Sequence, residues 1–361
     1  EAVKEMDFSA AEYNLAFSGI HCPFTLQELG ISEAVLAPSD FYAYGHPELK
    51  EILAEQYGVA SGQVLVPGGG TSLCNFLIAA ALLNPGDRAV VETPVYEPLH
   101  ATIASTGAEL LPLLRPPQNN YQLNIQELER ILRPPVKLLV LSRLHNPSGC
   151  DMSVEVLKQI GDLAQKVGAF VLVDEVYLDF LPPQQQTPAA SFHPHLISTA
   201  SLTKVYGQGT LRIGWAVGPA DLIQRCWRIN NVMGVNPPAI PDCIAVELFR
   251  KGSLARLGEW VRARAAENWR IVEDFLMNQR TLTWCQPAGG IFVCPRFQDG
   301  RNADPFVELL QNKYRTLVMK GSYFFQEDGF RLGFGCSEAI LRAGLERLAA
   351  ALQEYQSGKA P

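Results

Sequence analysis

The chain lacks paired cysteines, a basic excess and any apolar run long enough to cross a bilayer. Its eight cysteines, Cys22, Cys74, Cys150, Cys226, Cys243, Cys285, Cys294 and Cys336, are scattered and form no C-x-x-C pair. A disulfide scaffold clusters its cysteines in a short chain, and a zinc site pairs them. Reduced thiols, a cytoplasmic setting and no metal are therefore the expectation. Acidic residues outnumber basic ones by 37 to 30, for a net charge of −7. A general nucleic-acid binder shows the opposite balance, so no nucleic-acid partner is expected. The run FLIAAALL (76–83) falls far short of the roughly 20 residues that span a membrane and reads as a buried helix. Internal repeats and low-complexity segments are also missing.

What remains is a globular sequence, 47% hydrophobic and, at 361 residues, long enough for two domains. From about residue 63 to 218, short apolar runs alternate with helical patterns. The runs are QVLV (63–66), RAVV (88–91), AELLPL (108–113), KLLVL (137–141), AFVLV (169–173), LIST (196–199) and GWAVG (214–218). Between two of them, SVEVLKQIGDLAQKVG (153–168) has apolar residues at 154, 157, 160, 163, 164 and 167, the spacing of one helix face. Strands apolar on both faces and separated by helices predict an α/β domain with a mostly parallel sheet. The pattern changes near NPPAIP (236–241), which reads as a break. A long charged helical segment (250–276) follows, then strand-like GGIFVCP (289–295), a helix around 304–313, FRLGFG (330–335) and a final helix near 337–355. This predicts a large domain over 37–250 and a linker helix with a smaller α+β domain over 251–361.

Four stretches carry chemistry. VPGGGTS (66–72) sets three glycines between a strand and a helix that begins near Thr71 or Ser72. Glycine allows close backbone approach, and free N–H groups at a helix start attract an anion. The spacing is neither the dinucleotide nor the P-loop pattern, and a plain strand-to-helix turn reads equally well. In AFVLVDEVY (169–177), Asp174 ends a strand, where α/β sheets bind their ligands, although it also suits a helix N-cap. HNPSG (145–149) puts Asn146 in a turn at another strand end. SLTKVYGQGTLR (201–212) holds Lys204 among hydroxyls and an aromatic, the surroundings of an amine nucleophile or simply a loop lysine. Each alone is weak. Together they match the needs of pyridoxal phosphate: a lysine for its aldehyde, an acid for its ring nitrogen, donors for its phenolic oxygen and an anion cradle.

In this order, PGGGTS, PVYEP, HNPSG, DEVY, SLTK, Arg212 and FRLGFG resemble the class I/II aminotransferase family of fold-type I enzymes, over about residues 40 to 350. The resemblance implies a seven-stranded, mostly parallel sheet with helices on both faces. It also implies that residues 1–36 pack with the small domain. Lys204 would form a Schiff base with the cofactor, and Asp174 would pair with its ring nitrogen. Asn146 and Tyr177 would donate to its phenolic oxygen, and Tyr96 would stack on its ring. Gly70, Thr71, Ser72, Ser201, Thr203 and Arg212 would hold its phosphate. Arg331 would take the substrate α-carboxylate, with Asn146 beside it. Among Phe41, Tyr42 and Tyr44, Tyr42 is the choice for a side chain that reaches a partner subunit's phosphate, which implies a homodimer with the active site at its interface. The sequence departs from the family pattern at Gly209, Thr210 and Leu144.

The implied reaction moves an amino group between an amino acid and a 2-oxo acid. The same residues serve a lyase, decarboxylase or cyclising synthase, and NLAFSGI (14–20) is similar to capreomycidine-synthase-like members. A regulatory module would carry a basic helix-turn-helix, which is missing. A nicotinamide-dependent dehydrogenase would need the dinucleotide glycine spacing. His21 and Cys22, in SGIHCPF, read as ordinary packing residues, or as pocket lining if the N-terminal segment folds over the site.

Overall fold

A computed structural model describes residues 11–37 and 41–357. After a short strand β1 (Tyr13–Asn14), seven strands build the central sheet: β2 (Val64–Leu65), β3 (Arg88–Thr93), β4 (Glu109–Leu114), β5 (Val136–Ser142), β6 (Phe170–Asp174), β7 (Leu196–Ser201) and β8 (Gly214–Val217). Their order is β2-β8-β7-β6-β5-β3-β4. Strands β3 to β7 pair in parallel, and β8 runs antiparallel to both neighbours. The seven apolar runs read from the sequence are these seven strands.

Alternation along each strand feeds two cores, as a sheet covered on both faces requires. On one face Leu138, Val140 and Leu172 meet the helices Thr71–Leu82, Glu97–Ala104 and Ala220–Met233. On the other, Leu139, Leu141, Val171 and Val173 meet the helix Val154–Val167. That helix starts where the Ser153 hydroxyl accepts from Val156 N at 3.3 Å, and it stops at Gly168 in the left-handed region.

The smaller layer contains β9 (Leu282–Thr283) paired with β11 (Arg296–Phe297), and β10 (Phe292–Val293) and β13 (Met319–Lys320) flanking β14 (Phe330–Gly333). Strand β12 (Thr316–Leu317) pairs in parallel with β1, which brings the N-terminal segment onto this layer. Helices Asp304–Tyr314 and Glu338–Gln356 close its core.

Two sequence readings need correction. NPPAIP is not simply a break: Pro238 caps a helix over Ala239–Arg250, with Pro241 inside its first turn, where a missing N–H costs nothing. The segment 250–276 is not one helix. Arg250 ends that helix, Gly252 turns the chain at φ 64°, and a new helix runs over Ser253–Met277. The turn falls in RKGS (250–253), which holds a glycine and no apolar residue.

Candidate active site

Parallel pairing sets Ser142, Asp174 and Thr199 side by side at the carboxyl ends of β5, β6 and β7. Ligands bind α/β sheets at this edge. A cavity of about 260 Å³ opens there. Its walls include Thr71, Ser72, Tyr96, Asn146, Asp174, Tyr177, Ser201, Thr203, Lys204 and Arg212. Ten of the residues named from the sequence thus face one space.

One end of the cavity suits an anion. Gly68, Gly69 and Gly70 all have φ between 72° and 75°, and Gly70 caps the helix that starts at Thr71. A Cβ on Gly70 would lie 2.7 Å from Arg212 Nη2, so only glycine lets the guanidinium sit this close. Arg212 donates from Nη2 to Gly69 O at 2.8 Å and adopts φ 55° after the short turn Gly209–Leu211, so the departures at Gly209 and Thr210 still deliver the arginine. Helix-start amides, two hydroxyls (Ser201, Thr203) and a guanidinium form a cradle for a phosphate.

The other groups sit deeper. Val176 N donates to Asp174 Oδ1 at 3.2 Å, and Asn75 Nδ2 donates to Asp174 Oδ2 at 3.1 Å. Thr199 in turn donates to Asn75 Oδ1 at 2.9 Å. Burial pushes the Asp174 carboxyl above its usual range, while these donors and Lys204 oppose the rise. Burial likewise pulls the Lys204 amine below its usual value; Tyr96 and Asp174 work against that, and Arg331 and Arg212 add to it. Lys204 Nζ donates to Ser18 Oγ at 3.0 Å. Tyr177 is buried against Phe292, and burial raises its phenol.

Asn146 is placed by the loop it belongs to. His145, buried and kept neutral by burial, bonds Ser148 Oγ at 2.6 Å and Pro94 O at 2.9 Å. Asn146 N donates to Ser142 Oγ at 3.3 Å. Arg331 adjoins the cavity through Asn146: its Nη1 donates to Asn146 Oδ1 at 2.9 Å, and its Nη2 to Ala16 O at 3.2 Å. Its guanidinium carbon lies 4.8 Å from the Phe324 ring centroid. Arg331 Nε is buried and lacks a partner, and among the described residues no carboxylate pairs with this arginine. A carboxylate held here would supply the missing charge.

Gly70 is not among the cavity walls; it caps the helix that starts at Thr71. Tyr42 lies outside the cavity lining, with its ring 4.4 Å from His46. His21 is exposed and stacks on Phe17 at 4.8 Å, and Cys22 Sγ bonds Phe24 O at 3.5 Å. Sequence reasoning missed Asn75, Thr199 and Ser18. Asn75 had a signal, as a lone amide in the apolar helix TSLCNFLIAAAL. Ser18 had none, since its bond to Lys204 spans 186 positions.

The residues present therefore fit pyridoxal phosphate. The cavity offers an anion cradle, an acid without a cationic partner fixed on it, amide and phenol donors, and an amine within one wall. Fold and site together define a fold-type I enzyme of the class that uses this cofactor. The family model for aminotransferase class I and II matches residues 40–348. The chain is 27% identical to capreomycidine synthase of Streptomyces vinaceus, with 97% of this chain and 92% of that protein covered. It is also 27% identical to an arginine–pyruvate transaminase of Pseudomonas aeruginosa, over 88% and 84%. In fold it matches a PLP-dependent aminotransferase from Streptococcus suis, with TM-score 0.87, 24% identity, and 96% and 94% covered. Aspartate aminotransferase from Thermus thermophilus with maleate gives TM-score 0.87 at 21% identity, over 97% and 94%. The chain belongs to the class I and II aminotransferases, and its cofactor is pyridoxal phosphate.

Proposed function

We propose that this enzyme moves an amino group between an α-amino acid and a 2-oxo acid, with Lys204 as both covalent anchor and proton carrier. When bound, pyridoxal phosphate draws electrons from the substrate Cα. Asp174 holds a proton on the ring nitrogen, which keeps that pull strong. Asn146, whose Oδ1 already accepts from Arg331, has its Nδ2 free to donate to the phenolic oxygen alongside Tyr177. Thr71, Ser72, Ser201, Thr203 and Arg212 hold the phosphate, and Tyr96 covers the ring. Arg331 takes the substrate α-carboxylate, a planar pairing that suits its fork. Lys204 would anchor the cofactor and, as a free amine, would serve as the base that takes the proton from the substrate Cα and carries it.

The carrying observation is the convergence of Lys204, Asp174 and the Arg212 cradle on one cavity. A second copy of the chain completes the assembly in this reading. Exposed Val232 and Met233 end the helix Ala220–Met233, exposed Val235 follows it, Tyr44 packs on Trp227 of the same helix at 5.5 Å, and Phe41 is also exposed. Such an apolar face supports a homodimer with Tyr42 directed to the partner's phosphate. Eight free thiols support a cytoplasmic setting.

A cyclising synthase is the second reading, favoured by the near full-length likeness to capreomycidine synthase. Visible absorption of the holoenzyme separates the two. Amino transfer predicts a band lost with an amino acid and regained with a 2-oxo acid. A band that shifts and does not return with any 2-oxo acid favours the synthase or a lyase.

A further inference from the structure

The N-terminal segment is built into the site by backbone contacts that leave no slack. Leu15 N donates to Leu317 O at 2.8 Å, and Gly333 N donates to Leu15 O at 2.7 Å. A Cβ on Gly333 would lie 2.3 Å from Phe17 O, and one on Gly335 would lie 2.4 Å from Gly19 O. The segment therefore rides directly on the backbone of β14 and the turn after it. Beyond Leu15 it touches the reacting groups in order. Ala16 O accepts from Arg331, Ser18 Oγ accepts from Lys204 Nζ, and Ile20 N donates to Lys204 O at 3.3 Å. Burial raises the Tyr177 phenol, and the nearby Ser18 side chain opposes that rise.

We infer that Ser18 is a positioning residue that holds the freed Lys204 amine toward the substrate Cα and ties it, through one short segment, to the arginine that grips the carboxylate. This rests on the reading of Lys204 as cofactor anchor. Lys204 has four bonds of free rotation between its backbone and Nζ. One acceptor at 3.0 Å, on a segment clamped at both ends, selects one orientation. Because Ala16 and Ser18 are two residues apart, a carboxylate that pulls on Arg331 pulls on the segment that aims the amine. The segment thus links occupancy of the carboxylate site to readiness of the base.

Two measurements test this. In the cofactor-stripped full chain, acetic anhydride labels Lys204 at a rate that follows its neutral fraction, read by peptide mass spectrometry. Tyr96, Arg331, Asp174 and Arg212 also face this amine and remain in place. Ser18 Oγ favours the ammonium form, so Ser18→Ala lowers the labelling midpoint, and Ser18→Thr, which keeps the hydroxyl, restores it. In the holoenzyme, turnover is followed with whichever of the twenty standard amino acids reacts fastest, protiated or deuterated at Cα. Ser18→Ala lowers kcat about tenfold with KM within about twofold. Its deuterium effect rises as proton removal becomes limiting, and Ser18→Thr recovers most of the loss. An unchanged midpoint and isotope effect in a folded Ser18→Ala protein overturns the inference. A Ser18→Thr protein as impaired as Ser18→Ala also overturns it. Borohydride reduction of the same holoenzyme distinguishes the two levels: cofactor fixed on Lys204 sustains the functional reading even when the Ser18 inference fails.

Discussion

Three arginines, Arg115, Arg143 and Arg331, lie deep among the described residues; Arg143 pairs with Asp151, and the other two differ in their partners. Arg115 is fully buried and donates from Nη1 to Glu92 Oε2 at 2.6 Å and from Nε to Tyr121 O at 2.6 Å. Glu92 in turn accepts from Ser142 N at 2.7 Å. Arg331 is almost as buried but meets only neutral oxygens, Asn146 Oδ1 and Ala16 O, and two aromatic faces. Burial of charge therefore does not mark a site by itself. A buried pair with matched charges is a structural element, and removing one member leaves the other stranded. A buried cation beside a cavity, with no anion of its own, is poised for a ligand that brings one. Ser142 joins the two regions, since it contacts Glu92 on one side and supports Asn146 on the other.

The largest effect that would break this contrast lies at the cavity itself. Lys204→Ala should reduce amino transfer by about 10^4-fold, measured as 2-oxo acid formed, while the protein stays folded. A variant that transfers at the wild-type rate would remove Lys204 from the mechanism. Next come the arginines. Arg331→Met should lower kcat/KM by roughly 30- to several-thousand-fold, the equivalent of about 2–5 kcal/mol, with little loss of stability in denaturant. Arg115→Met should do the reverse, with about 3–5 kcal/mol of stability lost and KM nearly unchanged. Adding Glu92→Gln to Arg115→Met should recover part of that stability, because the stranded carboxylate is gone. Equal losses of activity from both arginine variants would erase the distinction drawn here.

A smaller effect is expected behind Asp174. Asn75→Ala removes one of the two donors that oppose the upward push on this carboxyl, and transfer should fall about tenfold by steady-state kinetics. No change would mean that Val176 N alone suffices. The smallest effect concerns pH and a carboxyl outside the cavity. Burial raises Asp242 to about 7, against the opposing donation from His46 N. The folded state then binds a proton that the unfolded state releases near pH 4. Its contribution to stability is full below that point and declines as pH rises toward 7. Asp242→Asn should flatten the stability–pH curve over this window in urea titrations. Identical slopes in both proteins would contradict the assignment.

The contrast also explains what could be read from the sequence. The seven strands were legible because their apolar runs are short and bounded by turns, and the register places Asp174 at a strand end, with Asn146 in the loop that follows β5. Lys204 and Arg212 were legible through local motifs on one loop. The turn at Gly252 was not, because a single glycine among charged residues at the start of a long helical pattern also reads as part of that helix. Nor were Glu92 on β3 and Arg115 just past the end of β4, which sit 23 positions apart and look like ordinary surface charges. Ser18 lies still further from its partner, and only the pairing of β1 with β12 and the fit of glycines 333 and 335 bring it to Lys204. Local chemistry was readable, and contacts made by the folding of distant segments were not.

The most direct test of the central claim is covalent. Holoenzyme reduced with borohydride, digested and mapped by mass spectrometry should carry the cofactor on the peptide that contains Lys204 and on no other lysine. Cofactor fixed elsewhere, or none fixed in a protein that binds pyridoxal phosphate, would contradict the account of this cavity.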